Sequence, residues 1–214
     1  MTNLNQRPTN LSGLHYANRF FHAFLKGMEE VMGYHGVETT LTLAALNRYI
    51  QKPPSQTLDR DVDFTVFAAI NLALDEMYSQ RGGRGMALRA GRAWFSTGFG
   101  NFGALYGVSD KAFRALVLQE RCEIGLTALT DIFNHFTDEH CTFESTDSAY
   151  HIDFEHCAMC YGKTADRPIC QPIVGLLQEA MRYFSNGREF IVRESVCRAT
   201  GADHCRFVIN KQPL

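Results

Sequence analysis

The chain has 214 residues, of which 45% are hydrophobic and 21% charged, a globular composition that excludes wholesale disorder. Lys and Arg number 21 against 23 Asp and Glu, for a net charge of −2, so the basic excess of a phosphate-tracking nucleic-acid binder is missing. No apolar run approaches the ~18 residues of a membrane span, and the opening MTNLNQRPTN lacks the charged-then-apolar pattern of a signal peptide. A cytoplasmic protein with no membrane span and no direct nucleic-acid partner is expected.

The first half reads as helical. Phe20, Phe21, Phe24, Leu25, Met28 and Val31 recur near helical spacing between Leu14 and Met32, and Gly33 and Gly36 are expected to stop that helix. Further helices are predicted at Thr39 to Ile50, Phe64 to Tyr78 (closed by Gln80 to Gly85), Met86 to Phe95, from Lys111 behind an Asp110 cap, and Gly125 to Phe136. The period then changes. Cys141 to His156 reads as strand, with Tyr150, Ile152 and Phe154 on one face. Pro172 opens a helix over Ile173 to Phe184 that Ser185-Asn186-Gly187 ends. Glu189 to Arg198 and Cys205 to Asn210 read as strands about a Gly201-Ala202-Asp203 turn. Helices followed by strands with one helix among them predict an α+β fold with an antiparallel sheet. The division is a mainly helical part over about 1–140 and a Cys-rich part over about 141–210 of a single 1–214 domain.

Gly98-Phe99-Gly100-Asn101-Phe102-Gly103 matches the dinucleotide-binding glycine pattern. That chemistry needs a strand before the loop, and Ala87 to Phe95 reads as helix. A glycine-rich helix connection is the better reading.

Seven cysteines, an odd number, argue for reduced thiols or metal rather than a disulfide framework. Cys157, Cys160, Cys170, Cys197 and Cys205 crowd the last 60 residues. Cys197 and Cys205 are equidistant from Gly201, so a hairpin turning there makes them a cross-strand pair within reach of one metal ion. Glu194 needs a bulge or bend to join them, and Cys170 is the candidate fourth ligand. Three thiolates and one carboxylate suit zinc, and four protein ligands make a site structural rather than catalytic. Arg193, Arg198 and Arg206 adjoin these positions and offer positive charge. A Cys197–Cys205 disulfide, packing thiols, or a knuckle of Cys157 and Cys160 with Cys170 or His156 are the alternatives.

These C-terminal residues resemble the 4-vinyl reductase domain family over roughly 155–210. The carriers are Cys157-Ala158-Met159-Cys160-Tyr161-Gly162, Cys170 ahead of Pro172 and Gly175, Asn186-Gly187-Arg188-Glu189-Phe190, Glu194 with Cys197, and Gly201, Cys205 and Phe207. The helical half, with Arg81 to Arg92, is similar to stand-alone bacterial members. The resemblance implies an α+β fold similar to vesicle-tethering subunits, a homodimer, and a zinc held by Cys170, Glu194, Cys197 and Cys205. It also places Trp94, Phe95, Phe99, Phe133 and Phe136 around a ligand cavity, with the Trp94 N–H, His135 and Tyr106 as polar contacts. Core packing accounts for most other phenylalanines, and Arg89 and Arg92 read as a solvated basic face rather than a carboxylate clamp.

No nicotinamide, flavin or iron–sulfur pattern supplies reducing equivalents. A binder or sensor of a small hydrophobic molecule, aromatic or tetrapyrrole-like, with structural zinc is therefore expected over an enzyme. The alternatives are a vinyl reductase or accessory factor of (bacterio)chlorophyll synthesis, and a dimeric interaction module without a ligand.

Overall fold

The computed structural model describes residues 11–99 and 111–214. A two-residue strand β1 (His15–Tyr16) leads into α1 (Asn18–Leu43), and the short α2 (Arg48–Gln51) follows. Strand β2 (Val62–Asp63) pairs antiparallel with β1 and runs into α3 (Phe64–Trp94), extended by a wide π-turn at Phe95–Phe99. The Asp63 carboxylate caps α3 by accepting from the Thr65 N–H at 2.9 Å and also accepts from Ser12 and Gly13. Helices α4 (Lys111–Ala115) and α5 (Leu118–Phe136) complete the helical part. Strands β3 (Cys141–Ser145) and β4 (Ala149–Phe154), α6 (Gln171–Phe184), β5 (Phe190–Val196) and β6 (Cys205–Pro213) form the remainder.

The four-stranded sheet is antiparallel throughout, in the order β3-β4-β6-β5. Helix α5 contacts β3, α6 contacts β5, α3 packs on α6, and α1 packs on α3. Burial in β4 falls on Tyr150, Ile152 and Phe154, the face that alternation predicts. One hydrophobic core runs from Phe20 and Trp94 in the helices to Phe154 and Phe207 in the sheet. Small residues let the helices close up. A Cβ on Gly91 would strike the Pro172 carbonyl and one on Gly175 the Leu88 carbonyl, so α3 and α6 cross backbone to backbone.

Several element boundaries differ from those expected. Gly33 breaks the first helix as predicted (φ 72°, ψ 168°), but the chain resumes a helix at once and leaves it at Leu43. The expected Thr39 to Ile50 helix is thus divided between the end of α1 and α2, because Ala45 takes a left-handed φ of 57°. In α3 the break is at Ser79 (φ 64°), and Gln80 to Gly85 is helical. Glycine costs about 1 kcal/mol in a helix, which the close crossing at Gly91 and burial of Met86, Ala87 and Ala90 outweigh. Helix α5 starts at Leu118 rather than Gly125. Cys141 to His156 is a hairpin rather than one strand, its turn closed by Thr146 through backbone and side-chain bonds to Ala149. The Asp110 cap and Gly100 to Gly103 lie outside the described residues; the segment before them is helix, as the rejection of a dinucleotide loop requires.

Candidate metal centre

Five cysteines and one glutamate converge between the sheet and the start of α6. Cys157 and Cys160 flank a single 3-10 turn, Ala158–Cys160. Cys170 is the residue that precedes α6, with Pro172 in the first turn of that helix, where a missing N–H costs nothing. Cys197 follows β5, and a 3-10 turn at Arg198–Thr200 leads to Gly201. The turn needs glycine there because φ is 96°, and it returns the chain so that Cys205 opens β6.

Glu194 reaches the cysteines through a register shift in the β5–β6 ladder. Glu194 pairs with Phe207 but Val196 pairs with Arg206, so Ser195 is the extra residue of a bulge. This is the irregularity that the sequence requires, since strict alternation puts Glu194 and Cys197 on opposite faces.

The donor atoms of Cys170, Glu194, Cys197 and Cys205 all lie within 4.8 Å of one another. The Sγ atom of Cys170 is 3.9 Å from that of Cys197 and 4.0 Å from that of Cys205. A tetrahedral ion with sulfurs at about 2.3 Å holds them about 3.8 Å apart, so the thiols already stand at the spacing an ion imposes. Glu194 Oε2 accepts from the Cys170 N–H at 2.8 Å, whereas Oε1 is buried without a hydrogen-bond partner. A bare carboxylate oxygen facing thiols is costly to bury, and a dication satisfies it. The residues fit a metal.

The electrostatics point the same way. Burial first, then the charge at Cys197, pushes the Glu194 carboxyl up to about 8. Cys197 is the favoured thiolate, held well below the usual thiol range by bonds from Cys160, Cys170 and Cys205. Burial raises Cys170. The backbone N–H of Arg198 donates to the Cys205 sulfur at 3.3 Å. Of the arginines expected to offset the charge, Arg206 is forked onto Asp153 at 2.6 and 2.7 Å. The Arg198 guanidinium bonds the Glu155 and Asp203 carbonyls, and Arg193 is exposed.

Cys157 and Cys160 are also at the cluster. They form a second set with Cys170 and Cys205, again within 4.8 Å. His156 belongs to neither set; its ring lies against His140. All seven cysteines are free thiols, so Cys197 and Cys205 are not disulfide-bonded.

Two residues that sequence reading passed over position this cluster. Asn71, buried in α3, donates to the Met159 carbonyl at 3.1 Å and the Ile169 carbonyl at 2.9 Å, clamping the Cys157–Cys160 turn to the residue before Cys170. Glu139 is fully buried; its Oε1 accepts from the Tyr16 hydroxyl at 2.6 Å and the Ala158 N–H at 3.2 Å. Burial pushes its carboxyl up to about 8. A polar residue amid apolar neighbours is the only signal either carries in one dimension.

Trp94, Phe95, Phe99 and Phe133 are brought together. Ring centroids lie 5.5 Å apart for Trp94 and Phe99, 6.3 Å for Phe95 and Phe99, and 5.1 Å for Phe99 and Phe133. Phe133 touches Phe154, the strand partner of Cys205, and Phe154 touches Phe207. An aromatic column thus joins the metal strand to the helices. The Trp94 N–H donates to the Phe20 carbonyl at 2.9 Å. Phe136 is half-buried against Phe20, and His135 is exposed with its ring beside Phe136. Tyr106 lies outside the described residues. Phe95 also lines a surface cleft of about 550 Å³ with Phe113, Arg121, Tyr183 and Phe184. Arg92 is held by Glu179 and Glu189, while Arg89 is exposed.

No curated protein matches the sequence. Among solved structures, the chain is similar to an Fe(II) unliganded H-NOX protein from K. algicida (15% identity, 92% of this chain and 96% of that one, TM-score 0.54). It is similar to an H-NOX protein from S. oneidensis in the Fe(II)NO ligation state (14%, 90% and 98%, TM-score 0.54). A phenol-responsive sensory domain of the transcription activator PoxR, with phenol, aligns at 19% identity over 71% of this chain and 77% of that one, at a TM-score of 0.46. The H-NOX likeness shows a shared helical-plus-antiparallel fold across most of the chain. Residues 150–211 match the 4-vinyl reductase (V-4-R) domain family, which bears out the family resemblance of the C-terminal sequence. The segment that holds most of the sheet and the cysteine cluster is a 4-vinyl reductase domain.

Proposed function

We propose that this protein binds a small hydrophobic molecule, aromatic or tetrapyrrole-like, as a sensor domain whose C-terminal part is held together by structural zinc. The observation that carries the reading is the set Cys170, Glu194, Cys197 and Cys205, with all donor atoms within 4.8 Å and one carboxylate oxygen otherwise unpartnered. Four protein donors leave no open position on the metal, which is the pattern of structural rather than catalytic zinc. The ligand reading is supported by the aromatic column of Trp94, Phe99, Phe133 and Phe154 and by the cleft that Phe95 borders. A site of mostly apolar walls with a few polar groups is the usual form of such a pocket.

Some of the H-NOX neighbours are named with Fe(II), and one with heme. The residues here do not favour an imidazole-held iron: each of the eight histidines keeps solvent exposure, so the aromatic core presents no buried imidazole. The proposal therefore keeps zinc as the metal. It also takes 1–214 as one domain, forming a cytoplasmic homodimer, which sedimentation at several concentrations tests.

Trp94 is the only tryptophan and lies in the aromatic column, so its emission reports directly on the proposed site. Titration with phenol and with a free-base porphyrin is expected to quench or shift that emission saturably, and elemental analysis to find zinc. Zinc retention should fall in Glu194→Ala and stay unchanged in Cys122→Ala. Unaltered emission with every probe would overturn the ligand reading, and a metal-free folded chain the zinc reading.

A further inference from the structure

The zinc reading uses four of the six donors in the cluster and leaves Cys157 and Cys160 without a task. Both are buried, 0% and 1% exposed, and neither merely packs. Cys157 Sγ is 3.6 Å from Cys170 Sγ, and Cys160 Sγ is 3.5 Å from Cys205 Sγ. These approach the tetrahedral edge of about 3.8 Å for sulfurs on one ion. The donors fall into two sets of four: Cys157, Cys160, Cys170 and Cys205 in one, and Cys170, Glu194, Cys197 and Cys205 in the other. The sets have Cys170 and Cys205 in common.

We propose that the protein holds two metal ions, one in each set, bridged by the thiolates of Cys170 and Cys205. Cys157 and Cys160 complete an all-sulfur tetrahedron around one ion. Cys197 and Glu194 complete a three-sulfur, one-oxygen tetrahedron around the other. Two tetrahedra sharing an edge need six donors, and the cluster supplies six.

Charge favours the pair of ions over one. With all six donors deprotonated, a single dication leaves a net charge of −4 in a buried site and two leave −2. Otherwise Cys157 and Cys160 must stay protonated among thiolates. Soft thiolates select zinc or another thiophilic dication for the all-sulfur set. The positioning machinery spans both sets. Asn71 ties the Cys157–Cys160 turn to the residue before the bridging Cys170, and the Arg198 N–H donates to the bridging Cys205. The inference rests on the zinc reading for the Glu194 set, and the count of ions separates the two.

The test is the metal content of the full chain, loaded with zinc or cadmium and freed of excess, by native mass spectrometry and elemental analysis. Cadmium NMR is run on the same sample. Two ions per chain are expected, with two resonances, one all-sulfur and one shifted by an oxygen donor. Cys157→Ser should drop the count from two to one with the circular dichroism spectrum retained. One ion per chain in the wild type would leave the zinc reading standing and overturn the two-ion centre. No ion would overturn both. Iron with acid-labile sulfide would overturn the centre, as would two ions persisting in Cys157→Ser. Should that variant fail to fold, the wild-type count still decides.

Discussion

Glu139 should make the fold weaken as pH rises through neutrality, and Glu139→Gln should remove that weakness. The carboxyl is fully buried, with Oε1 accepting from Tyr16 and Ala158 and Oε2 unpartnered. Burial shifts it from an ordinary 4.5 to about 8, because a charge is costlier to bury than a neutral acid. Between those values the folded state keeps the proton and the unfolded state releases it, so stability falls with rising pH. The contribution is intact below about pH 4.5, declines toward pH 8, and is flat beyond. At about 1.4 kcal/mol per pH unit, the full decline is about 5 kcal/mol. Gln keeps an oxygen for the Tyr16 and Ala158 bonds but does not ionise. Urea unfolding of metal-loaded wild type and Glu139→Gln at pH 5, 7 and 9 isolates the effect, because titration of other groups cancels in the difference. The variant is expected to gain on the wild type by several kcal/mol between pH 5 and 9. Parallel pH curves would refute the burial argument for Glu139.

Three further perturbations test the packing. Gly91→Ala drives a methyl into the Pro172 carbonyl, and an overpacked crossing costs about 1–3 kcal/mol or more; thermal unfolding should show it, while Gly85→Ala, which meets open space, should be neutral or stabilising. Asn71→Ala leaves the Met159 and Ile169 carbonyls without their shared donor, at a cost of about 1–3 kcal/mol. Its second readout is faster loss of zinc to a chelator, which a purely local packing defect would not produce. Asp153→Asn breaks the fork to Arg206 on the half-exposed sheet surface, and an exposed pair is worth about 1 kcal/mol or less; a larger loss on urea unfolding would mean that Arg206 supports the metal strand.

Short-range chemistry made much of the fold legible in one dimension. Alternation in Tyr150, Ile152 and Phe154 specified a half-buried strand, because side chains in a strand point to opposite faces in turn. Helical spacing set the apolar face of α1, and Pro172 set the start of α6. Gly201 between Cys197 and Cys205 marked a turn that returns one thiol to the other, and the parity of Glu194 and Cys197 required a bulge. Helix ends were harder to read, since Gly82, Gly83 and Gly85 look like breakers until a close crossing rewards a bare backbone, whereas the real break at Ser79 has no local signature. That Cys157 and Cys160 join the same cluster as Cys170 and Cys205 emerges in three dimensions alone, because that contact depends on Asn71 reaching across from α3. The burial of Glu139, rather than its solvation, emerges there too. Burial and cross-chain contact belong to the packed whole, and no window of sequence contains them.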